Sequence, residues 1–346
     1  MARRILWASL ALSPVTILLH YVAHVGGTLE FVLAAASLIP LAWLIGEATE
    51  HAAHHTGAGI GGFLNATFGN APELIIALFA VHEGLEEVVR GSLTGSVVGN
   101  LLLVLGFSLL FGGRGELDRW SSFVSIALVG FAVLMFLIPA IPSWDGNPDR
   151  ESLARLSVLP SVVLLLVYVG VTWYTLRRHR LLHISAEPEE MRAWSLTVSL
   201  VVLGVATTVT ALIAEILVGS IDTFSEDVGL SDFFVAAVIV AIVGNAAEHG
   251  GAVVVAYRGR IKLAAEIALA SSAQVAVFLI PAVALLSWFL NPLALSLRPV
   301  ELLVLFGSVA VTAVLLRDGW STRPKGYILV ATYVAAAAAF FIAGDR

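Results

Sequence analysis

The sequence predicts an all-α integral membrane protein of about eleven transmembrane helices, arranged as one extra N-terminal helix and two inverted five-helix repeats. Three observations predict it: the composition, the distribution of Lys and Arg, and a motif that occurs twice. Of the 346 residues, 59% are hydrophobic and only 13% are charged, whereas soluble domains carry about 25% charged residues. Most of the chain is therefore expected to contact lipid or other helices.

Each predicted helix is a stretch of about 20 mostly apolar residues, the length that crosses a bilayer core. The stretches begin near Ile5, Leu29, Gly62, Gly91, Ser121, Leu156, Trp194, Asp232, Leu263, Pro299 and Gly326. The first could be mistaken for a signal peptide because Arg3 and Arg4 precede it, but its length and the lack of a small-x-small cleavage site favour a span.

The basic residues indicate the orientation. With the N-terminus in the cytoplasm, all but five of the 19 Lys and Arg fall in cytoplasmic segments, as the positive-inside rule requires. The other side keeps Arg90, Arg150, Arg155, Arg298 and Arg346. Compact loops and the lack of an organelle signal favour a prokaryotic plasma membrane.

A motif in the third span recurs in the eighth. Gly69-Asn70-Ala71-Pro72-Glu73 and Gly244-Asn245-Ala246-Ala247-Glu248 both read Gly-Asn-x-x-Glu. Because an odd number of spans separates them, the two copies enter the membrane from opposite sides. We therefore expect an extra helix in residues 1–26, a first repeat in 27–176, a charged cytoplasmic linker in 177–192 and a second repeat in 193–346.

The motif has the chemistry of a cation site. Asn and Glu three residues apart share a helix face, so Asn70 with Glu73 and Asn245 with Glu248 could close around one ion. Gly69, Pro72 and Gly244 weaken the helix and free backbone carbonyls, and broken helices in mid-membrane are where transporters bind ions. Carboxylates with neutral oxygens suit Ca²⁺ first and Mn²⁺ second. A purely structural role for two buried carboxylates is the alternative, and its energetic cost disfavours it.

Further polar residues are candidates for a proton path or for gating. They are Glu50 in the second span, Ser96 and Asn100 in the fourth, Glu215 in the seventh, His249 beside Glu248, and Ser271 and Gln274 in the ninth. For the hydroxyls and amides the alternative is ordinary hydrogen bonding between membrane helices. For Glu50 it is a solvated helix end, and for His249 it is core packing.

Three histidines, His51, His54 and His55, follow Glu50. They could sense pH, form a plain interfacial cluster, or belong to an intramembrane metalloenzyme. A zincin motif reads His-Glu-x-x-His, and here the glutamate precedes the first histidine. The chain has no cysteine, so a thiolate metal site is excluded. Because the order of Glu and His does not match a zincin, we predict that the protein is not an enzyme.

The two motifs resemble the repeat signatures of the calcium/cation antiporter superfamily, and within it the cation/proton exchanger (Ca²⁺/H⁺ antiporter) family. The sodium/calcium exchanger branch typically reads Gly-Thr-Ser before Pro-Glu instead. The resemblance extends over nearly the whole chain, but the linker with Glu187, Glu189 and Glu190 is shorter than is usual in the family, and the histidine cluster is not a family feature.

This resemblance implies alternating access driven by a proton gradient, with Glu73 and Glu248 binding either the cation or protons. It also implies that Ser96, Asn100 and Gln274 line the ion site or the proton path. The expected partners are inorganic cations and the lipid bilayer, with no cofactor and no nucleic acid. A sodium-coupled Ca²⁺ exchanger, an Mn²⁺/H⁺ antiporter and a channel remain the alternatives, and the sequence does not predict the oligomeric state.

Overall fold

The computed structural model describes residues 2–144, 150–182 and 194–345, and this part of the chain is almost entirely helical. The predicted all-α class is confirmed. Two short strands, β1 (Gly115–Glu116) and β2 (Trp320–Ser321), pair antiparallel, with Gly115 opposite Ser321. Most of the linker predicted in 177–192 lies outside the described residues, and its first part continues a helix that ends at Leu182.

The N-terminal half of the described chain contains eight α-helices. They are α1 (Ala2–Ser9), α2 (Leu12–Leu18), α3 (Gly27–Phe68), α4 (Ala71–His82), α5 (Glu86–Val98), α6 (Leu105–Gly112), α7 (Arg119–Ala140) and α8 (Arg150–Leu182). A π-helical segment, Leu19–Ala23, extends α2, and a second one, Gly99–Val104, connects α5 with α6. A 3₁₀ turn, Ile141–Ser143, extends α7.

The C-terminal half contains nine α-helices within the described residues. They are α9 (Leu196–Gly219), α10 (Ile221–Val228), α11 (Asp232–Phe234), α12 (Ala241–Gly244), α13 (Ala246–Tyr257), α14 (Ile261–Gln274), α15 (Ile280–Leu286), α16 (Pro299–Leu316) and α17 (Arg323–Ala343). Their non-α segments are the π-helices Val235–Val240 and Val275–Leu279 and the 3₁₀ turn Ser287–Phe289.

The predicted count of eleven spans is not found. Nine helices in the described chain are long and apolar enough to cross a membrane, or ten if α10 and the helix after it, bent by 108°, form one span. The difference arises in the third and eighth predicted spans, which are divided by the helix breaks at Asn70 and Asn245. Before the first break, α3 runs for 42 residues without a helix end near Gly62. A straight helix of that length would measure about 63 Å, twice the bilayer core, and α4 after it has only 12 residues.

The centre of the bundle is the helix formed by α5, the π-helix Gly99–Val104 and α6. In its most apolar stretch 83% of the residues are buried, against 11% in the first helix of the chain. Gly91 and Gly95 explain the close packing, since a Cβ on Gly95 would lie 2.0 Å from the carbonyl oxygen of Ala237, and one on Gly91 2.7 Å from that of Phe233. This small-xxx-small spacing brings α5 against the eighth predicted span, which carries the second motif.

Candidate ion-binding site

Both motifs interrupt a helix at the same residue. The helix stops between α3 and α4 at Gly69-Asn70, and between α12 and α13 at Asn245. Asn70 has φ −99° and ψ 17°, and Asn245 has φ −93° and ψ 7°. Each asparagine carbonyl then accepts from the backbone N–H four residues later, Leu74 at 3.0 Å and His249 at 2.9 Å. The sequence folds this way because Gly and Asn have low helix propensity and Pro72 is tolerated only in a first turn.

The two breaks meet in the core. Glu73 and Glu248 lie in the first turns of α4 and α13, the helices that follow the two breaks. Glu73 is 8% exposed and packs on Gly244 of the other motif, where an added Cβ would lie 3.3 Å from Glu73 Cγ. The carboxylate of one motif therefore rests on the glycine of the other.

The motif asparagines are tied to the opposite half of the chain. Asn245 Nδ2 donates to Ser96 Oγ of α5 at 2.8 Å and to the carbonyl of Ala241 at 2.9 Å. Asn70 Nδ2 donates to Gln274 Oε1 of α14 at 3.4 Å. These bonds use the amide N–H groups and fix the side chains that carry the oxygens.

Glu248 ends a short chain of hydrogen bonds. Asn100 Nδ2 donates to Ser271 Oγ at 3.0 Å, and the Ser271 hydroxyl donates to Glu248 Oε2. Asn100 is fully buried in the π-helix Gly99–Val104, and Ser271 lies three residues before the end of α14. π-Helical segments are frequent at functional sites, and these two, at Gly99–Val104 and Val275–Leu279, begin near corresponding positions of the two halves.

Three buried oxygens of this cluster form no hydrogen bond within the described chain. They are Glu73 Oε2, Asn100 Oδ1 and Asn245 Oδ1. Buried polar atoms are normally paired, and carboxylate and amide oxygens are the ligands that Ca²⁺ takes. A small cavity of about 10 Å³ beside Glu73, Ser92 and Ser96 has room for about one water-sized particle. The cluster therefore has the oxygen donors of a hard-cation site.

The remaining predicted residues lie away from this cluster or at its edge. Glu50 on α3 and Glu215 on α9 occupy exposed positions, and neither is hydrogen-bonded to the described atoms of the two motifs. Their helices pack against each other. His249 is half-buried on α13, and its Nε2 has no partner among the described residues.

The three histidines do not converge on one point. His51 is buried, with Nε2 3.5 Å from Glu47 Oε1 and its ring 4.5 Å from that of Trp194. His55 Nε2 lies 2.6 Å from the carbonyl oxygen of Trp194. In the described part of the chain no group of three or more His, Cys, Asp or Glu side chains is placed to hold a metal ion. His51 and His55 both contact Trp194, whereas the ring of His54 contacts that of His55.

Sequence reasoning missed a buried ion-pair network at the other end of the bundle. Arg298 Nε donates to Glu301 Oε1 at 2.6 Å, and Arg90 pairs with Glu87 and donates to the carbonyl of Ser296 at 2.9 Å. Glu301 is completely buried. The available signal was Arg298 three residues before Glu301 at a helix start, a spacing that places opposite charges side by side.

Known proteins resemble this chain over most of its length. The family described as sodium/calcium exchanger protein matches residues 26–177 and 198–342. The Ca²⁺/H⁺ antiporter ChaA of Bacillus subtilis (strain 168) is 38% identical, covering 97% of both chains. Vacuolar cation/proton exchanger 1a of Oryza sativa subsp. japonica is 38% identical over 90% of this chain and 74% of its own.

Solved structures share the fold. The structure of native YfkE superposes with a TM-score of 0.83 at 35% identity, covering 99% of this chain and 100% of YfkE. The H⁺/Ca²⁺ exchanger CAX superposes with a TM-score of 0.75 at 16% identity, covering 99% of this chain and 92% of CAX. The likeness to CAX concerns the fold alone. The matches confirm the resemblance read from the two motifs: this chain is an integral membrane protein and belongs to the family described as sodium/calcium exchanger protein, with Ca²⁺/H⁺ antiporters and cation/proton exchangers among its relatives.

Proposed function

We propose that the protein is a secondary active antiporter that exchanges a divalent cation, Ca²⁺ in the first place, for H⁺ by alternating access. The observation that carries this proposal is the contact between the two interrupted helices, with Glu73, Glu248 and unpaired amide oxygens in one buried cluster. The relatives named above as Ca²⁺/H⁺ antiporter and cation/proton exchanger support the choice of ions, and their transport roles support the view that the protein is not an enzyme.

The proposed ligands are the two carboxylates and the neutral oxygens around them. Glu73, Glu248 and the Asn70 and Asn245 side chains would contribute oxygens directly, and the helix breaks at Gly69 and Gly244 would contribute backbone carbonyls. Together these approach the six to eight oxygens of a Ca²⁺ site. Two carboxylates neutralise the charge of a divalent ion, which suits transfer through a low-dielectric core.

Protons and the cation would compete for the same carboxylates. An empty pair of buried carboxylates holds at least one proton, because two adjacent negative charges are unfavourable in a poorly solvated site. Exchange follows if the protein switches the site from one side of the membrane to the other only when protons or the cation neutralise the carboxylate pair. The Asn100–Ser271–Glu248 chain of hydrogen bonds supports a proton path that also includes Ser96 and Gln274, with Glu50, Glu215 and His249 as gating candidates.

The proposed architecture is an extra helix in 1–26 and two inverted repeats, 27–176 and 193–346, joined by the 177–192 linker. Its support is the recurrence of the helix break and the π-helical segment in each half. The distribution of Lys and Arg supports an N-terminus in the cytoplasm. The compact loops and the bacterial relative ChaA support a prokaryotic plasma membrane.

The test is Ca²⁺ uptake into proteoliposomes driven by an imposed pH gradient without sodium. The proposal expects saturable uptake that Glu73→Gln abolishes. Glu83→Gln is the matched control, because it makes the same substitution at an exposed position just after α4. Uptake that requires sodium would replace proton coupling with sodium coupling, preferential Mn²⁺ uptake would change the cation, and flux that does not saturate or respond to the opposing gradient would indicate a channel.

A further inference from the structure

An exposed groove lies between α7 and α16, and none of its lining residues belongs to the two motifs. It encloses about 530 Å³. Ala127 and Gly130 of α7 and Ala313 of α16 form part of its wall, and these small side chains leave an apolar channel between the two helices. At one end of the groove stand Arg119 and Arg317.

The two arginines are positioned together by the backbone. Arg119 Nη2 donates to the carbonyl oxygen of Arg317 at 2.8 Å. The aliphatic stem of Arg119 crosses Gly319, where a Cβ would lie 2.4 Å from Arg119 Cγ and where φ is +74°. Only glycine allows this close crossing in that backbone conformation without strain. Arg119 is therefore held across the mouth of the groove.

Neither guanidinium is neutralised by a carboxylate of the described chain. The neighbouring acids are engaged elsewhere: Asp118 lies 3.3 Å from Lys262 Nζ, and Asp318 lies 2.5 Å from Lys325 Nζ. Arg119 and Arg317 are both exposed. Two exposed arginines at one end of the same groove, neither paired with a carboxylate of the described chain, favour an anion with several oxygens, and phosphate oxygens match the planar donor geometry of a guanidinium.

Exposed aromatic side chains mark this end of the groove as a membrane interface. Trp120 is 63% exposed and Phe123 is 62% exposed, and Trp320 lies under Arg114, whose Cζ is 5.7 Å from the ring centroid. Exposed Trp residues of membrane proteins lie at the level of the lipid headgroups. The arginines therefore stand at headgroup depth, and the apolar channel runs from them toward the bilayer core.

We infer that this groove binds an anionic phospholipid, with its phosphodiester on Arg119 and Arg317 and one acyl chain along Ala127, Gly130 and Ala313. A basic pocket between membrane helices is a known type of site for acidic lipid headgroups. The inference is independent of the exchange reaction, because none of these residues belongs to the ion cluster. The ligand class is a glycerophospholipid with net negative charge, such as phosphatidylglycerol.

The test is native mass spectrometry of the full chain in detergent, titrated with phosphatidylglycerol or with phosphatidylcholine of the same acyl chains. Arg119→Gln/Arg317→Gln should weaken the first phosphatidylglycerol bound by about 25-fold, since each basic residue near a membrane contributes roughly fivefold. Phosphatidylcholine binding should change little. Arg258→Gln/Arg260→Gln is the matched control, because it removes two exposed positive charges near Lys262 outside the groove.

A second variant tests the apolar part of the site. Ala313→Phe fills the channel while both arginines remain, and it should also weaken phosphatidylglycerol binding. Equal loss in the Arg258→Gln/Arg260→Gln control, or wild-type binding in both groove variants, would overturn the inference. Displacement of the lipid by millimolar inorganic phosphate would also overturn it in favour of a simple anion site. Thermal unfolding and pH-driven Ca²⁺ uptake report whether each variant is folded.

Discussion

The two Gly-Asn-x-x-Glu motifs share a backbone and differ in what surrounds their carboxylates. Both interrupt a helix at asparagine with nearly the same dihedral angles. Glu73 is buried, its Oε2 has no hydrogen-bond partner in the described chain, and it rests on a glycine. Glu248 is less buried and accepts a hydrogen bond from Ser271. A duplicated frame thus holds two carboxylates in unequal settings.

The residues that contact the motifs explain why the two carboxylates have different surroundings. Ser96 and Ser271 occur at matching distances after Glu73 and Glu248 in the sequence. Ser271 accepts from Asn100 and donates to Glu248, whereas Ser96 accepts from Asn245. The position that matches Asn100 in the second half is Val275, and the one that matches Gln274 in the first is Gly99. The halves therefore contribute different polar groups to one shared site.

The largest expected effect comes from neutralising each carboxylate in turn. Glu73→Gln and Glu248→Gln should each reduce pH-driven Ca²⁺ uptake by about 100-fold or more, because each removes one partner of a buried charge interaction. Uptake and equilibrium Ca²⁺ binding should be measured for both variants beside Glu83→Gln. If one variant kept wild-type uptake, the two carboxylates would not act as a pair and the comparison would fail.

The two serines provide a sharper test of unequal settings. Ser271→Ala should reduce the apparent Ca²⁺ affinity by about 20-fold, since it removes a hydrogen bond to a charged group and leaves Asn100 without its acceptor. Ser96→Ala removes only a neutral hydrogen bond and should cost about fivefold. The measurement is the Ca²⁺ concentration dependence of uptake. Equal losses would mean that the hydrogen bonds of Glu248 are not what distinguishes the halves.

The contact between the motifs predicts a smaller effect at Gly244. Gly244→Ala places a Cβ 3.3 Å from Glu73 Cγ, so the carboxylate must shift by a few tenths of an ångström. We expect Ca²⁺ affinity to fall by about tenfold, because ion sites depend on ligand position at this scale. Gly250→Ala on the following helix, α13, is the control, since its Cβ would meet no atom within 4 Å. An unchanged affinity in Gly244→Ala would argue against direct contact between the motifs.

The sequence alone predicts the carboxylate pair because the signals are local. Glycine and asparagine weaken a helix wherever they stand together, and an intramembrane glutamate beside them indicates function. The same local reading fails for α3, where neither proline nor a charged cluster stops the helix between Thr56 and Phe68, so the start of the third predicted span continues the helix of the second.

Features that depend on packing between distant segments could not be predicted. The unpaired oxygens of Asn100 and Asn245 follow from which neighbours occupy their amide N–H groups, 171 and 149 residues away in the sequence. Likewise, Glu215 lies within apolar sequence, but only the helix rotation in the assembled bundle places it at an exposed position. Arg298 and Glu301 are adjacent on a helix start, and only the fold buries them.

The smallest expected effect concerns the stability of the whole fold, and it should leave Ca²⁺ binding at the two motifs unchanged. Asp118 is the N-cap of α7, where it accepts a hydrogen bond from Ser121 N at 2.9 Å and pairs with Lys262. The Ser121 N–H lowers the pKa of Asp118 from the ordinary value. A lowered folded-state pKa contributes stability at pH above the usual aspartate range, and this stability is lost as pH falls through the folded pKa. Asp118→Ala should therefore lower the unfolding free energy by about 1 kcal/mol at neutral pH and by less in acid, with no change in Ca²⁺ affinity. Thermal unfolding across pH, measured beside Ca²⁺ uptake, checks this; a loss of affinity equal to that of Gly244→Ala would mean that general destabilisation, rather than local contacts, governs the site.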